Sequence, residues 1–173
     1  SQVVALFYQP PACLRVLDAG IEFDNKMLSA EMQAAALLSS TQWIGVDGPA
    51  ASERLPAALY GEEPPYSWCY YFIQAELARQ QADWQAVAAL GDQAFALGDY
   101  PNDPAERLVF IEGYAHIGNW VRAEEISEET QSITPMMYPV LCHLWSRIAA
   151  ETPASAEKDA TLARIFSSLT CTP

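Results

Sequence analysis

From Tyr66 onward the chain carries helix start and stop signals at even intervals, and that rhythm limits its fold more than any other feature. Ala82-Asp83-Trp84 falls on Gly118-Asn119-Trp120, so a tight turn, a capping side chain and a tryptophan recur after 36 residues. The signals predict a helix over 66–81, a second capped by Asp83 that turns Val87, Leu90, Ala94 and Leu97 inward and stops at Gly98, and a third over 104–117. Asp103, Pro104 and Glu106 give the third helix a cap, a first-turn proline and the acidic residue of a capping box. Asn119 caps a fourth over 120–133, closed by Thr134-Pro135, and a further pair is expected over 139–150 and 156–169 around Glu151-Thr152-Pro153. Helices joined by turns this short fold back on each other as antiparallel hairpins.

Residues 1–65 read differently. Val3–Tyr8 is β-branched and aromatic, Pro10-Pro11 stops it, and Leu14–Leu17 alternates once before Asp18-Ala19-Gly20 turns the chain, which predicts two short extended segments. Ser29 caps a helix to about Ser40, with Ala30, Ala34, Leu37 and Leu38 on one face. Gly45, Gly48, Pro49, Pro56, Gly61, Pro64 and Pro65 make 41–65 a long connection with one short helix around 51–59. Glu62-Glu63 reads as a solvated turn. The expectation is one compact domain in two parts: 1–65, with extended segments, one helix and a connection packed on the rest, and 66–173, of helical hairpins.

Charge narrows the partners. Nine Lys+Arg against 22 Asp+Glu give a net charge of -13, which opposes phosphate backbones and anionic lipid. With 51% hydrophobic and 18% charged residues the chain buries a core and is no disordered acidic tail. No apolar run reaches the roughly 18 residues that span a bilayer, so direct membrane insertion of this segment is not expected. The start at Ser1, without Met, reads as a piece of a longer polypeptide.

Cys13, Cys69, Cys142 and Cys171 show no metal-finger spacing. Cys69 and Cys142, in apolar helical surroundings, read as buried thiols, and a bridge fits best for Cys13 and Cys171 near the ends. Cys142 and His143 point about 100° apart on a helix and make a poor nucleophile and base pair. No nucleophile motif or metal cluster is legible, so neither a metal nor a cofactor is expected.

The second hairpin resembles a tetratricopeptide repeat. Phe110 and Ile111 take first-helix packing positions, Tyr114 the large aromatic position, Gly118-Asn119-Trp120 the turn, Ala123 the small residue and Pro135 the closing proline. The first hairpin is similar at Tyr71, Ala75, Trp84 and Ala94, but Ala78, Gly91 and Asp99 depart from the pattern. The resemblance implies a mostly α fold: antiparallel hairpins stacked in a tetratricopeptide-like right-handed array, preceded by a short extended segment. It also implies that first helices line a concave groove, which would bring Glu76, Arg79, Gln80, Glu112 and His116 to the ligand side. Read from residues alone, those positions equally fit a solvated face, with His116 capping a helix C-terminus. The crowded carboxylates Glu124, Glu125, Glu128 and Glu129 read the same way.

A longer resemblance runs through Pro10–Asp18, Trp68–Phe72, Ala78–Gln80 and Phe110–Ala115, which look like the C-terminal soluble region of bacterial multi-spanning membrane proteins, some similar to lipid-linked-sugar glycosyltransferases. It implies a chain tethered to the cytoplasmic membrane by spans upstream. The expected function is therefore a non-catalytic interaction or scaffold domain with a peptide or protein partner, the rest of its own chain included, and no nucleic acid. The alternative is an accessory domain of a membrane glycosyltransferase that contacts its sugar substrate.

Overall fold

The computed structural model describes residues 3–22, 25–44 and 66–171; the short helix expected at 51–59 and the Glu62-Glu63 pair lie outside them. Residues 3–44 form β1 (Leu6–Phe7) and β2 (Arg15–Val16), paired antiparallel with Leu6 opposite Val16, then α1 (Ala19–Glu22) and α2 (Ala30–Leu38). The remainder is helical: α3 (Trp68–Gln80), α4 (Trp84–Ala96), α5 (Leu108–His116), α6 (Trp120–Ile133), α7 (Tyr138–Glu151) and α8 (Ala156–Leu169). Among the described residues no helix is long and apolar enough to cross a membrane.

Three hairpins pack in chain order. α3 packs on α4, α5 on α6 and α7 on α8, and α5 also touches both α3 and α7, so the first helix of each pair meets the next. The turns explain the rhythm. Ala82 and Gly118 both take the left-handed conformation, at φ 54° and 79°, which reverses the chain within one residue. The next N–H then reaches back across the turn, Asp83 to Ala78 O at 3.0 Å and Asn119 to Tyr114 O at 2.8 Å. Asp83 and Asn119 cap the following helices by accepting from the N–H of Ala86 and Arg122. A third cap, Ser155, accepting from Lys158 N–H, falls another 36 residues on. The period thus extends to a third hairpin, in which Ala156 stands where the first two have a tryptophan and Pro153 lies in the turn.

Apolar burial holds this part together. Trp145, Phe72, Phe110, Ile111, Tyr114 and Ile148 are fully buried in one continuous core. Trp145 Nε1 donates to buried Ser127 Oγ at 2.9 Å and the Tyr114 hydroxyl to Asp92 at 2.6 Å, so the large polar aromatics keep their partners. Gly113 lets α4 approach α5 closely, because a Cβ there would sit 2.3 Å from Val87 Cγ1.

Four expectations need correction. The bridges are Cys13–Cys69 and Cys142–Cys171, not a link between the chain ends: Cys69 and Cys142 are not free thiols, because each lies beside the partner that tertiary folding delivers. In α2 the buried side is Ala36, with Met32 against the same small cluster of Leu17 and Leu28, while Leu37 and Leu38 are 62% and 60% exposed. In α4 the inner face is Val87, Ala88, Gly91 and Ala94, with Gly91 against Phe110 and Tyr114 of α5, and Leu97 is 43% exposed. Pro104–Arg107 is a 3-10 turn and α5 starts at Leu108, since the Glu106 carboxylate accepts from Cys13 N–H at 2.7 Å instead of closing a capping box.

Candidate functional site

The face made by the first helices is where charge collects, and residues 13–22 lie across it. Ile21 sits over Phe72, Leu108 and Leu144, which occupy equivalent positions 36 residues apart on α3, at the start of α5 and on α7. Polar contacts flank that row. Arg79 Nη2 is 3.4 Å from Asp18 and 3.2 Å from Glu76. Arg147 Nη1 donates to Gly20 O at 2.8 Å, and His143 Nε2 lies 3.1 Å from the same carbonyl. The segment is anchored at its start by Cys13–Cys69, and Arg15 pairs with Glu22 at 3.3 Å and Asp103 at 3.1 Å.

Beside the segment lies a second group of charges. Glu112 is only 2% exposed and meets Arg147 Nη2 at 2.9 Å. Positions 112 and 116 are one turn apart on α5, so both side chains face the end of α7, where Glu151 Oε2 is 3.5 Å from His116 Nε2. The Trp84 ring stacks on His116 with centroids 3.8 Å apart, so the turn tryptophan of the first hairpin holds the imidazole of the second.

Burial sets the protonation of this group. Desolvation raises the Glu112 carboxyl above its ordinary value against the pull of Arg147 and Arg79. Desolvation lowers His116 and so favours the neutral imidazole, and Glu151 offsets this only in part. For Arg79 burial opposes the charged form, but Glu76, Glu112 and Asp18 outweigh it and hold the guanidinium protonated.

Of the five residues expected on the ligand side, Glu76, Arg79, Glu112 and His116 therefore belong to one neighbourhood of ion pairs, and Gln80 stands half-buried on the last turn of α3, outside it. The sequence reading missed Asp18, Trp84, Arg147 and Glu151. Only Trp84 carried a local signal, its place after the repeated turn; the others act through tertiary neighbours. A cleft of about 470 Å³ opens between Tyr138, His143, Ser146 and the Cys142–Cys171 bridge, and none of the five lines it.

The acidic side of α6 is partly paired. Arg164 of α8 grips Glu124 with two nitrogens, Nε at 2.6 Å, and Arg122 lies 3.1 Å from Glu125. No family model, curated protein or solved structure matches the chain.

Proposed function

We propose that this domain is a non-catalytic interaction module of tetratricopeptide-like helix pairs whose first-helix face binds a peptide segment. One observation carries the reading: that face already holds a segment of the chain itself, residues 17–22, by an apolar anchor at Ile21, a carboxylate at Asp18 and the Gly20 carbonyl. An anchor with flanking polar contacts is how a helical face recognises a peptide. Caps spaced 36 residues apart at Asp83, Asn119 and Ser155 support the tetratricopeptide-like reading. Two disulfides support folding in an oxidising compartment. The longer sequence resemblance supports a place within a larger membrane protein.

The test is a peptide spanning residues 13–22, labelled and added to the full chain carrying Cys13→Ser, Cys69→Ser and Asp18→Ala, which weakens the internal segment. Anisotropy should report saturable binding, on the order of micromolar to millimolar because the internal copy still competes at high effective concentration. Arg79→Gln should abolish it. Absence of binding, or binding indifferent to Arg79, sinks the proposal. Duplex DNA at physiological salt should show no saturable binding, since the net charge of -13 repels it.

A further inference from the structure

We propose that Glu112, His116 and Glu151 form a binding site for one divalent cation of the Zn²⁺ type, tying the end of α5 to the end of α7. The sequence expects no metal, because only two of the donors share a helix and the third lies 35 residues beyond His116. Folding closes that gap. One donor atom from each of the three side chains lies within 4.8 Å of the others. His116 Nε2 and Glu151 Oε2, at 3.5 Å, are close to the edge of about 3.3 Å that tetrahedral ligands at Zn–N and Zn–O distances near 2.0 Å define.

Three further observations fit a cation. Glu112 Oε2 and His116 Nε2 are buried, and their contacts with Arg147 at 2.9 Å and Glu151 at 3.5 Å are ion pairs that complete no hydrogen bond of normal geometry; a cation between the three side chains would give both atoms a directed bond. The imidazole is held by the Trp84 ring, which fixes its plane. The neighbourhood also holds more acidic than basic side chains: Asp18, Glu76, Glu112 and Glu151 face Arg79 and Arg147, a formal excess of two carboxylates. One dication balances it. An imidazole with two carboxylates suits Zn²⁺ better than Ca²⁺ or Mg²⁺, which prefer oxygen alone. Arg147 contacts one oxygen of Glu112 and is the group a cation must work against.

The experiment is a Co²⁺ titration of the full chain followed by its visible d–d absorption, with Zn²⁺ displacing the signal. We expect one equivalent bound with micromolar or tighter affinity. Glu151→Gln, at a half-exposed side chain whose loss leaves the fold intact, should weaken binding at least tenfold, and His116→Gln at least as much. Arg147→Gln should tighten it severalfold. Thermal melts of each variant establish that it is folded. No saturable Co²⁺ or Zn²⁺ binding by the folded wild-type chain, or binding unchanged in folded Glu151→Gln, overturns the site.

Discussion

Residues 3–44 and the helical hairpins are held by different forces. The hairpins bury a row of large apolar side chains, with hydrogen bonds such as Tyr114–Asp92 as supplements. Among the described residues the N-terminal part has a small cluster of its own, Leu17, Leu28 and Ala36, and is fastened by a disulfide and by buried charge, with Arg15 bridging Glu22 and Asp103. A segment without enough apolar surface to fold alone is attached by groups that depend on their partner's position. The hairpins should therefore tolerate loss of the segment, and the segment should not survive loss of the hairpins.

Removing apolar volume from the hairpins should have the largest effect. Tyr114→Ala, at a ring 2% exposed, should destabilise by roughly 3 to 5 kcal/mol and unfold both regions together in chemical denaturation. A loss under about 1 kcal/mol would show that the ring does not hold the hairpins together. Next comes the Cys13–Cys69 bridge, which closes a loop of 56 residues; opening it with a Cys13→Ser, Cys69→Ser pair should cost up to about 4 kcal/mol by loop entropy. Hydrogen exchange should show residues 3–44 losing protection while α3–α8 keep theirs. If the hairpins lose protection equally, the two regions are one cooperative unit and the comparison fails.

The two turns allow a matched test. Ala82 takes the left-handed conformation with a side chain and Gly118 without one, and around a Cβ at Gly118 nothing lies within 4 Å. Gly118→Ala should therefore cost about 1 kcal/mol through backbone strain alone, and Ala82→Gly should stabilise by roughly 0.5 to 1 kcal/mol. Equal and opposite shifts in melting temperature would establish the turns as equivalent parts of a repeat.

The smallest effects concern pH, and they run in opposite directions at the contact between the two regions, where Glu106 meets Cys13, and within the hairpins, where Glu124 meets Arg164. Desolvation raises the Glu106 carboxyl that receives Cys13 N–H, so its contribution is complete below 4.5 and is lost as pH rises through the higher folded value. Arg164 hydrogen bonds hold Glu124 below 4.5, so its contribution is present above that value and is lost as pH falls through the lower one. Relative to the parent, Glu106→Gln should gain stability between pH 4 and 7. Glu124→Gln should instead be weaker at neutral pH and draw level in acid.

What the sequence showed was what short range decides. Ser29, Asp83, Asn119 and Asp103 are caps in the structure because a cap needs only the N–H two or three residues on. Ser155 keeps the same period but escaped notice, since its turn lacks the tryptophan and carries Pro153. Which side of α2 faces inward was misread: four apolar residues suggested a face, and the direction was set by β1 and β2 instead. Disulfide pairing, the burial of Glu112 and the approach of Glu151 depend on how hairpins stack, which no local pattern encodes.

The Cys13–Cys69 bridge also decides how the molecule carries a mechanical load. Tension applied at the N-terminal end reaches Cys13 and passes through the sulfur atoms directly into α3, bypassing the backbone between them. Those 56 residues, about 190 Å of extended chain, stay slack while the bridge is intact. Under pulling from that end the charged segment on the first-helix face is shielded, and the hairpins bear the force. Reduction would add that hidden length to the extension and release the segment at low force, a step that single-molecule stretching in the presence and absence of a thiol would resolve.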